Sequence, residues 1–255
     1  MGLLCCKKNE GVDKQNISYE KSKIKFEELE RQIIDNEKFI IHLKYNDESN
    51  ENKPDIKVDV IHVDSIGSTM PASEKYIDQG YTSPFIYNTI IQTAGVGKGN
   101  RKWAGGIKGN LYTSTGIPLN MVRNEFSDEK IIVKITSISI IQELNKYVKN
   151  EFFLKYPNDI ICKDKYKLGG ILVQKYKDFF IIGFGINIID KPEQDEIRKE
   201  GLSPCFVKLH LPKDTEPPRA LDLSIEVTKN ILFNLNLTSE EIDKLFEQYV
   251  LKMDN

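Results

Sequence analysis

Three short islands carry glycine, lysine and carboxamide residues in one order: Lys155-Tyr-Pro-Asn-Asp159, Lys167-Leu-Gly-Gly-Ile-Leu172 and Gly183-Phe-Gly-Ile-Asn187. The last two fall inside the clearest strand pattern of the chain. Leu168 to Tyr176 and Phe179 to Ile189 are separated only by Lys177-Asp178, a spacing that predicts an antiparallel hairpin. Further strands are expected from Val58 to Val63, from Phe85 to Ile91 and from Asn110 to Thr115. Pro71 suits the first turn of a helix running to about Gln79, because its missing N–H is not needed there. Ser68 and Thr69 then stand at a helix entrance. Asp128 to Lys149, Leu221 to Leu237 and Ser239 to Val250 read as helices, two of them with Ser or Asp start signals. The expected fold class is α/β (α+β): a mixed, largely antiparallel central sheet flanked by helices, not a doubly wound dinucleotide fold.

Length and composition are compatible with this. A chain of 255 residues, 40% hydrophobic, can build one large domain, with or without a small appendage. Cys5, Cys6, Cys162 and Cys205 are widely spread, without a Cys-x-x-Cys or a nearby His pair. Spacing therefore supports neither a disulfide framework nor a zinc site, and a reducing, cytoplasmic compartment fits. No apolar run reaches the roughly 18 residues of a membrane span, and no signal-peptide core is present. A net charge of -2 argues against bulk nucleic-acid binding. Charge is nonetheless uneven. Gln79 to Asn124 contains no acidic residue, in a chain that has 38, yet holds Lys98, Arg101, Lys102, Lys108 and Arg123. That segment presents a local positive field suited to an anion.

The positive segment contains Gln92-Thr-Ala-Gly-Val-Gly-Lys-Gly-Asn-Arg-Lys-Trp103. Gly95, Gly97 and Gly99 allow a backbone to approach a ligand closely and offer N–H groups to an anion. It is not a P-loop, since Gly-Lys-Ser/Thr is missing, and no helical stretch follows as the Rossmann fingerprint requires. Arg101, Lys102 and Trp103 follow instead, side chains suited to phosphate and to a flat ring.

The first 55 residues read differently. Asn9 to Ser22 is polar and patternless. Ile24 to Leu43 has apolar residues on roughly one helical face, so one helix is expected there. Asn46 to Pro54 is a hydrophilic linker. The division expected is 1–55 as a polar extension and 56–255 as the folded catalytic body.

From about Asp59 to about Tyr249, the ordered islands resemble the catalytic domain of biotin protein ligases, with its class II synthetase-like fold. The resemblance implies an enzyme that joins biotin and ATP into biotinyl-5'-AMP, with Mg²⁺, and passes biotin to a lysine of a biotin carboxyl carrier domain of an acetyl-CoA carboxylase type. It implies no nucleic-acid partner. Ser68, Thr69, Met70, Gln92, Gly95, Val96, Gly97, Lys98, Lys167, Gly170, Gly183 and Gly185 match the biotin-binding positions, and Arg101, Lys102, Trp103, Asn158 and Asn187 the ATP-binding ones. Asn158 and Asp159 match the metal-proximal signature. Lys167, Lys98 and Asp159 match catalytic positions, with Lys167 lying between two anions that otherwise repel. A lipoate or octanoate ligase, and a catalytically impaired, membrane-tethered binding relative, are the alternatives.

The chain also departs from the family pattern. Val96 stands where an arginine is usual, Lys98 replaces a second arginine, Asn100 replaces a glycine and Tyr156 replaces a tryptophan. The family's N-terminal winged helix is not expected in residues 1–55, and its SH3-like C-terminal domain is not expected after the last helix. Met1-Gly-Leu-Leu-Cys-Cys-Lys-Lys8 approximates an N-myristoylation pattern at Gly2, with Cys5 and Cys6 available for palmitoylation. Two such attachments would bring the protein to a membrane surface.

Overall fold

The computed structural model describes residues 25–46, 55–99, 101–192 and 202–251. Its strands are β1 (Lys25–Ile33), β2 (Lys38–Asn46), β3 (Ile56–Ile66), β4 (Phe85–Gln92), β5 (Gly95–Gly97), β6 (Arg101–Trp103), β7 (Leu111–Pro118), β8 (Phe152–Lys155), β9 (Asp159–Cys162), β10 (Lys167–Tyr176) and β11 (Phe179–Ile186). The helices are α1 (Thr69–Asp78), α2 (Glu129–Leu144), α3 (Ala220–Asn234) and α4 (Ser239–Tyr249). Nine strands form one sheet in the order β1-β2-β3-β4-β7-β11-β10-β9-β8, while β5 and β6 pair with each other. Only β3 and β4 run parallel, with α1 as their crossover; the other neighbours are antiparallel. The mixed, largely antiparallel sheet expected from sequence is therefore present.

Strand β11 shows how the sequence divides this sheet into two faces. Side chains alternate, so Phe180, Ile182, Phe184 and Ile186 enter the large core that also holds Ile135, Ile138, Leu223, Val227 and Ile231 of α2 and α3. Phe179 and Ile181 point the other way, into a smaller core with Met70, Tyr76 and Ile77 of α1. Continuing on that second face come Gly183 and Gly185, and there the side chains stop. A floor opens beside the N-terminal end of α1.

The helices close the other face. In α2, Ile132, Ile135, Ile138, Ile140, Ile141 and Leu144 are buried, as are Thr136 and Ser139. Those two hydroxyls donate to the carbonyls of Ile132 and Ile135, at 2.7 and 2.8 Å, so the hydrophobic helix carries them without unpaired polar groups. Asp128 caps α2 by accepting from the Lys130 N–H, and a Thr238–Glu241 capping box starts α4. Thr113 and Thr115 of β7 pair with Ser224 and Thr228 of α3 at 2.8 and 2.9 Å, fixing α3 against the sheet.

The single helix expected over Ile24 to Leu43 is replaced by the β1–β2 hairpin. Ile41 and Leu43, two apart, are fully buried, whereas Ile33 is 76% and Ile34 49% exposed. Burial thus follows the strand period, not the helical one. Asp35 makes the turn: its Oδ1 accepts from the N–H groups of Glu37 and Lys38, both at 2.8 Å. β2 pairs with β3, so the sheet runs across the boundary expected near residue 55. Gly2, Cys5 and Cys6, with the rest of the acylation pattern, lie outside the described residues.

Candidate functional site

A cavity of about 770 Å³ opens over the β10–β11 floor. Of the residues singled out from sequence, Ser68, Thr69, Met70, Gln92, Val96, Gly97, Lys98, Arg101, Lys102, Trp103, Asn158, Asp159, Lys167, Gly170, Gly183, Gly185 and Asn187 all line it. Gly95 does not. It lies behind the wall, where an added Cβ would meet the Trp103 carbonyl oxygen at 2.5 Å. Glycine at position 95 therefore lets the two strands of the β5–β6 hairpin lie close together.

The floor has no side chains for a reason visible in its contacts. Gly170 and Gly185 face each other in the β10–β11 register, and the Trp103 indole lies across both. A Cβ on Gly185 would come within 2.6 Å of the indole ring, and one on Gly170 within 3.1 Å. At Gly183 the corresponding Cβ would reach the Met70 sulfur at 2.6 Å. Real Cβ atoms do not approach that closely, so a side chain at Gly185 would have to displace the Trp103 indole and one at Gly183 the flexible end of Met70.

Lys167 enters the cavity through a strand irregularity. The β9–β10 register shifts between Lys167 and Gly169, a bulge that re-aims the side chain at the strand start. Its Nζ lies 2.7 Å from Asp159 Oδ1 and 5.5 Å from the Trp103 ring centroid. Lys167 and Asp159 are both about a third or less exposed (32% and 26%), so this is a half-buried charge pair at the cavity wall. Asn158 is held from both sides by β10: its Nδ2 donates to the Ile171 carbonyl at 3.0 Å, and the Ile171 N–H donates to the Asn158 carbonyl at 2.9 Å. The preceding Tyr156–Pro157 peptide is cis.

The opposite wall is a short polar relay. Ser114 Oγ donates to Thr69 Oγ1 at 2.7 Å, and Thr69 donates to Gln92 Oε1 through its hydroxyl at 3.2 Å and its N–H at 2.8 Å. These bonds fix the Gln92 amide through its oxygen. Ser68 Oγ and Trp103 Nε1 are buried without a hydrogen-bond partner among the described residues. Unpaired polar groups lining a cavity are costly unless a ligand satisfies them.

Above the floor hangs the β5–β6 hairpin. Its stems are fixed, Ala94 N–H to the Gly67 carbonyl at 2.7 Å and Gln92 N–H to the Gly105 carbonyl at 2.9 Å. Arg101 Nε donates to the Lys98 carbonyl at 2.6 Å, and Lys98, Arg101 and Lys102 are exposed, with no ion-pair partner among the described residues. Three free cations thus overhang the cavity. Asn187 is more committed than sequence suggested: it is buried, and its Nδ2 donates to the Cys205 carbonyl at 3.0 Å.

Some contributors lie outside the set expected from sequence. Ser114 orients Thr69, Lys155 lines the cavity from the first island, and Leu202 and Pro204 line it from a segment that runs back along Lys167. Lys155 was legible as part of its island. Leu202, Pro204 and Ser114 carry no local motif, and only the tertiary fold brings them in. Elsewhere, no helix among the described residues is long and apolar enough to cross a membrane.

Comparison with known proteins agrees with this geometry. Residues 63–187 match the model of the biotin/lipoate A/B protein ligase family. A biotin--[acetyl-CoA-carboxylase] ligase of Mycobacterium tuberculosis is 27% identical over 104 residues, which cover 40% of this chain and 39% of that relative. Among solved structures, the biotin protein ligase of Leishmania major in complex with biotinyl-5-AMP superposes with a TM-score of 0.65 at 21% identity, over 77% of this chain and 84% of that one. The Aquifex aeolicus enzyme in complex with biotin and ATP gives 0.62 at 23% identity, over 75% and 78%. The fold is that of biotin protein ligase catalytic domains, and residues 63–187, which match the biotin/lipoate A/B protein ligase family model, hold the glycine floor, Lys167 and the overhanging hairpin.

Proposed function

We propose that this protein is a biotin protein ligase, which forms biotinyl-5'-AMP from biotin and ATP and transfers biotin to a lysine of a biotin carboxyl carrier domain. The observation that carries this reading is Lys167: one cation, held at 2.7 Å by Asp159, at the edge of a side-chain-free floor and beneath a cationic hairpin. The reaction needs such an arrangement. A biotin carboxylate oxygen attacks the ATP α-phosphorus and pyrophosphate leaves, so two anions must meet, and a preorganised ammonium lowers the cost of that encounter. In the second step a neutral carrier lysine amine attacks the acyl carbon and AMP departs.

The other residues divide by chemistry. Ser68, Thr69 and Gln92 offer directed donors and acceptors for a ureido ring in an otherwise apolar wall. Trp103 presents a flat face to a tail or base. Lys98, Arg101 and Lys102 supply charge for phosphate. Asn158 and Asp159 present amide and carboxylate oxygens at the cavity wall, a donor set that fits a hard cation such as Mg²⁺; bound there, it would offset phosphate charge. The test is incubation of the full chain with biotin, ATP, Mg²⁺ and a biotin carboxyl carrier domain. A single biotin mass on one carrier lysine is expected, and an unmodified carrier would contradict the proposal.

The acylation pattern at Gly2, Cys5 and Cys6 supports a cytoplasmic enzyme attached to membrane by its N-terminus, since one acyl chain binds only marginally and a second stabilises it. In a eukaryotic cell Gly2→Ala should move the protein from the membrane fraction to the cytosol without loss of ligase activity. A wild-type N-terminus with no acyl mass would end this part of the proposal.

A further inference from the structure

Far from each other in sequence, Cys162 at the end of β9, Cys205 in the 202–211 segment and His210 at the close of the Val207–His210 turn place their potential ligand atoms within 4.8 Å of one another. Both cysteines are free and fully buried. The His210 side chain is 11% exposed, and its Nδ1 lies 2.8 Å from Glu151 Oε1. A carboxylate only accepts, so Nδ1 is the nitrogen that donates, and Nε2 is the ring nitrogen open to a metal. That Nε2 is buried and has no hydrogen-bond partner among the described residues. The Phe152 ring packs edge-on against the imidazole at 5.6 Å, fixing it further.

We propose that Cys162, Cys205 and His210 form a binding site for a zinc-class divalent cation, with His210 ligating through Nε2 and solvent filling the fourth position. Two sulfurs and an imidazole nitrogen are the donors that zinc prefers, and Glu151 supplies the carboxylate that commonly orients a zinc-bound histidine. Zn–S and Zn–N bonds of about 2.3 and 2.1 Å in a tetrahedron put ligand atoms roughly 3.6–3.8 Å apart. The widest separation here need close by only about an ångström to reach that. On binding, each thiol gives its proton to solvent. Metal binding by thiols releases protons, so affinity for the cation should rise with pH.

The location gives the site a purpose. Cys205 N–H donates to the Lys167 carbonyl at 2.8 Å, Lys167 N–H to the Ser203 carbonyl at 2.7 Å, and Asn187 Nδ2 to the Cys205 carbonyl. Leu202 and Pro204, on the same segment, form part of the cavity wall. A cation bridging Cys162 of β9 to Cys205 and His210 therefore ties that wall to the strand pair carrying Asp159 and Lys167. It would act as a structural clamp behind the cavity, not as a participant in group transfer.

Cobalt provides a readout independent of ligase activity. Full chain carrying Cys5→Ser and Cys6→Ser, titrated anaerobically with Co²⁺, should develop thiolate-to-cobalt charge-transfer absorption and tetrahedral visible bands that saturate at one equivalent and vanish on adding Zn²⁺. Glu151→Gln should keep the bands and weaken affinity by about 10–100-fold, and Cys205→Ser should lower the charge-transfer intensity to about half. For the unmutated chain loaded with zinc, zinc-edge X-ray absorption should show two sulfur scatterers. Reduced thiols without a charge-transfer band, or a zinc shell of nitrogen and oxygen alone, would overturn the proposal, whatever the outcome of the biotinylation assay.

Discussion

The two walls of the cavity are built by opposite rules. The β10–β11 floor is buried sheet, paired across its length and stripped of side chains where Trp103 and Met70 press on Gly185 and Gly183. The β5–β6 hairpin is hydrogen-bonded at its stems and tipped with three exposed cations that have no ion-pair partner among the described residues. Rigid elements hold catalytic groups in position at little cost during reaction, and a mobile cationic cover can close on an anion after it binds. Under the proposed function, chemistry would fall to the floor and retention to the hairpin. Mutations in the two regions should then fail in different ways.

The largest effect is expected at the floor's edge. Lys167→Ala removes the cation between the two anions, and adenylation should fall about 10²–10³-fold with the melting temperature nearly unchanged, because Asp159 can turn to solvent. Pre-steady-state formation of biotinyl-AMP measures this. If Lys167→Ala instead released adenylate faster while forming it normally, floor and hairpin would have exchanged roles.

Gly185→Val tests the packing itself. A side chain there must displace Trp103, at an overpacking cost of about 1–3 kcal/mol, so biotin affinity by calorimetry should fall roughly tenfold or more. Unchanged affinity would mean that the Trp103 position over the floor is not needed for binding.

On the hairpin, Lys98→Gly should leave single-turnover adenylation within a few-fold of wild type. Biotinyl-AMP should dissociate about tenfold faster, the scale of losing one charge-assisted contact of roughly 1.5 kcal/mol. Labelling of bystander lysines gives a second readout. Equal dissociation rates would remove Lys98 from retention.

The smallest effect is expected at Ser114→Ala, which frees the Thr69 hydroxyl without touching ligand. KM for biotin should rise a few-fold, consistent with about 1 kcal/mol for one hydrogen bond, and kcat should hold. A fall in kcat with unchanged KM would place Ser114 in the chemistry and not in the relay.

Legibility from sequence followed the range of the interactions. The β10–β11 hairpin was readable because its apolar runs and its two-residue Lys177-Asp178 turn are local. Its islands became one cavity because adjacent antiparallel strands bring Lys167, Gly170, Gly183 and Gly185 together. The β1–β2 hairpin was misread as a helix because Ile33, Ile34, Ile40 and Ile41 satisfy a helical face as well as two strands. The deciding signals, Asp35 before Glu37-Lys38 and the alternating Ile41 and Leu43, were weaker. Gly95 looked like a ligand contact because a glycine-rich stretch does not reveal which of its residues faces inward. Asn187 was given to ATP, but its amide reaches back to Cys205. Cys162, Cys205 and His210 carried no spacing signal at all, since their proximity comes only from the way the 202–211 segment runs along Lys167.

Biotin-dependent exchange of pyrophosphate into ATP by the purified full chain tests the central claim most directly, because it reports adenylate formation without any carrier protein. Exchange should appear with biotin, be absent with lipoate or octanoate, and be lost in Lys167→Ala. Tight biotin binding without exchange, or exchange supported by lipoate but not biotin, would contradict the account.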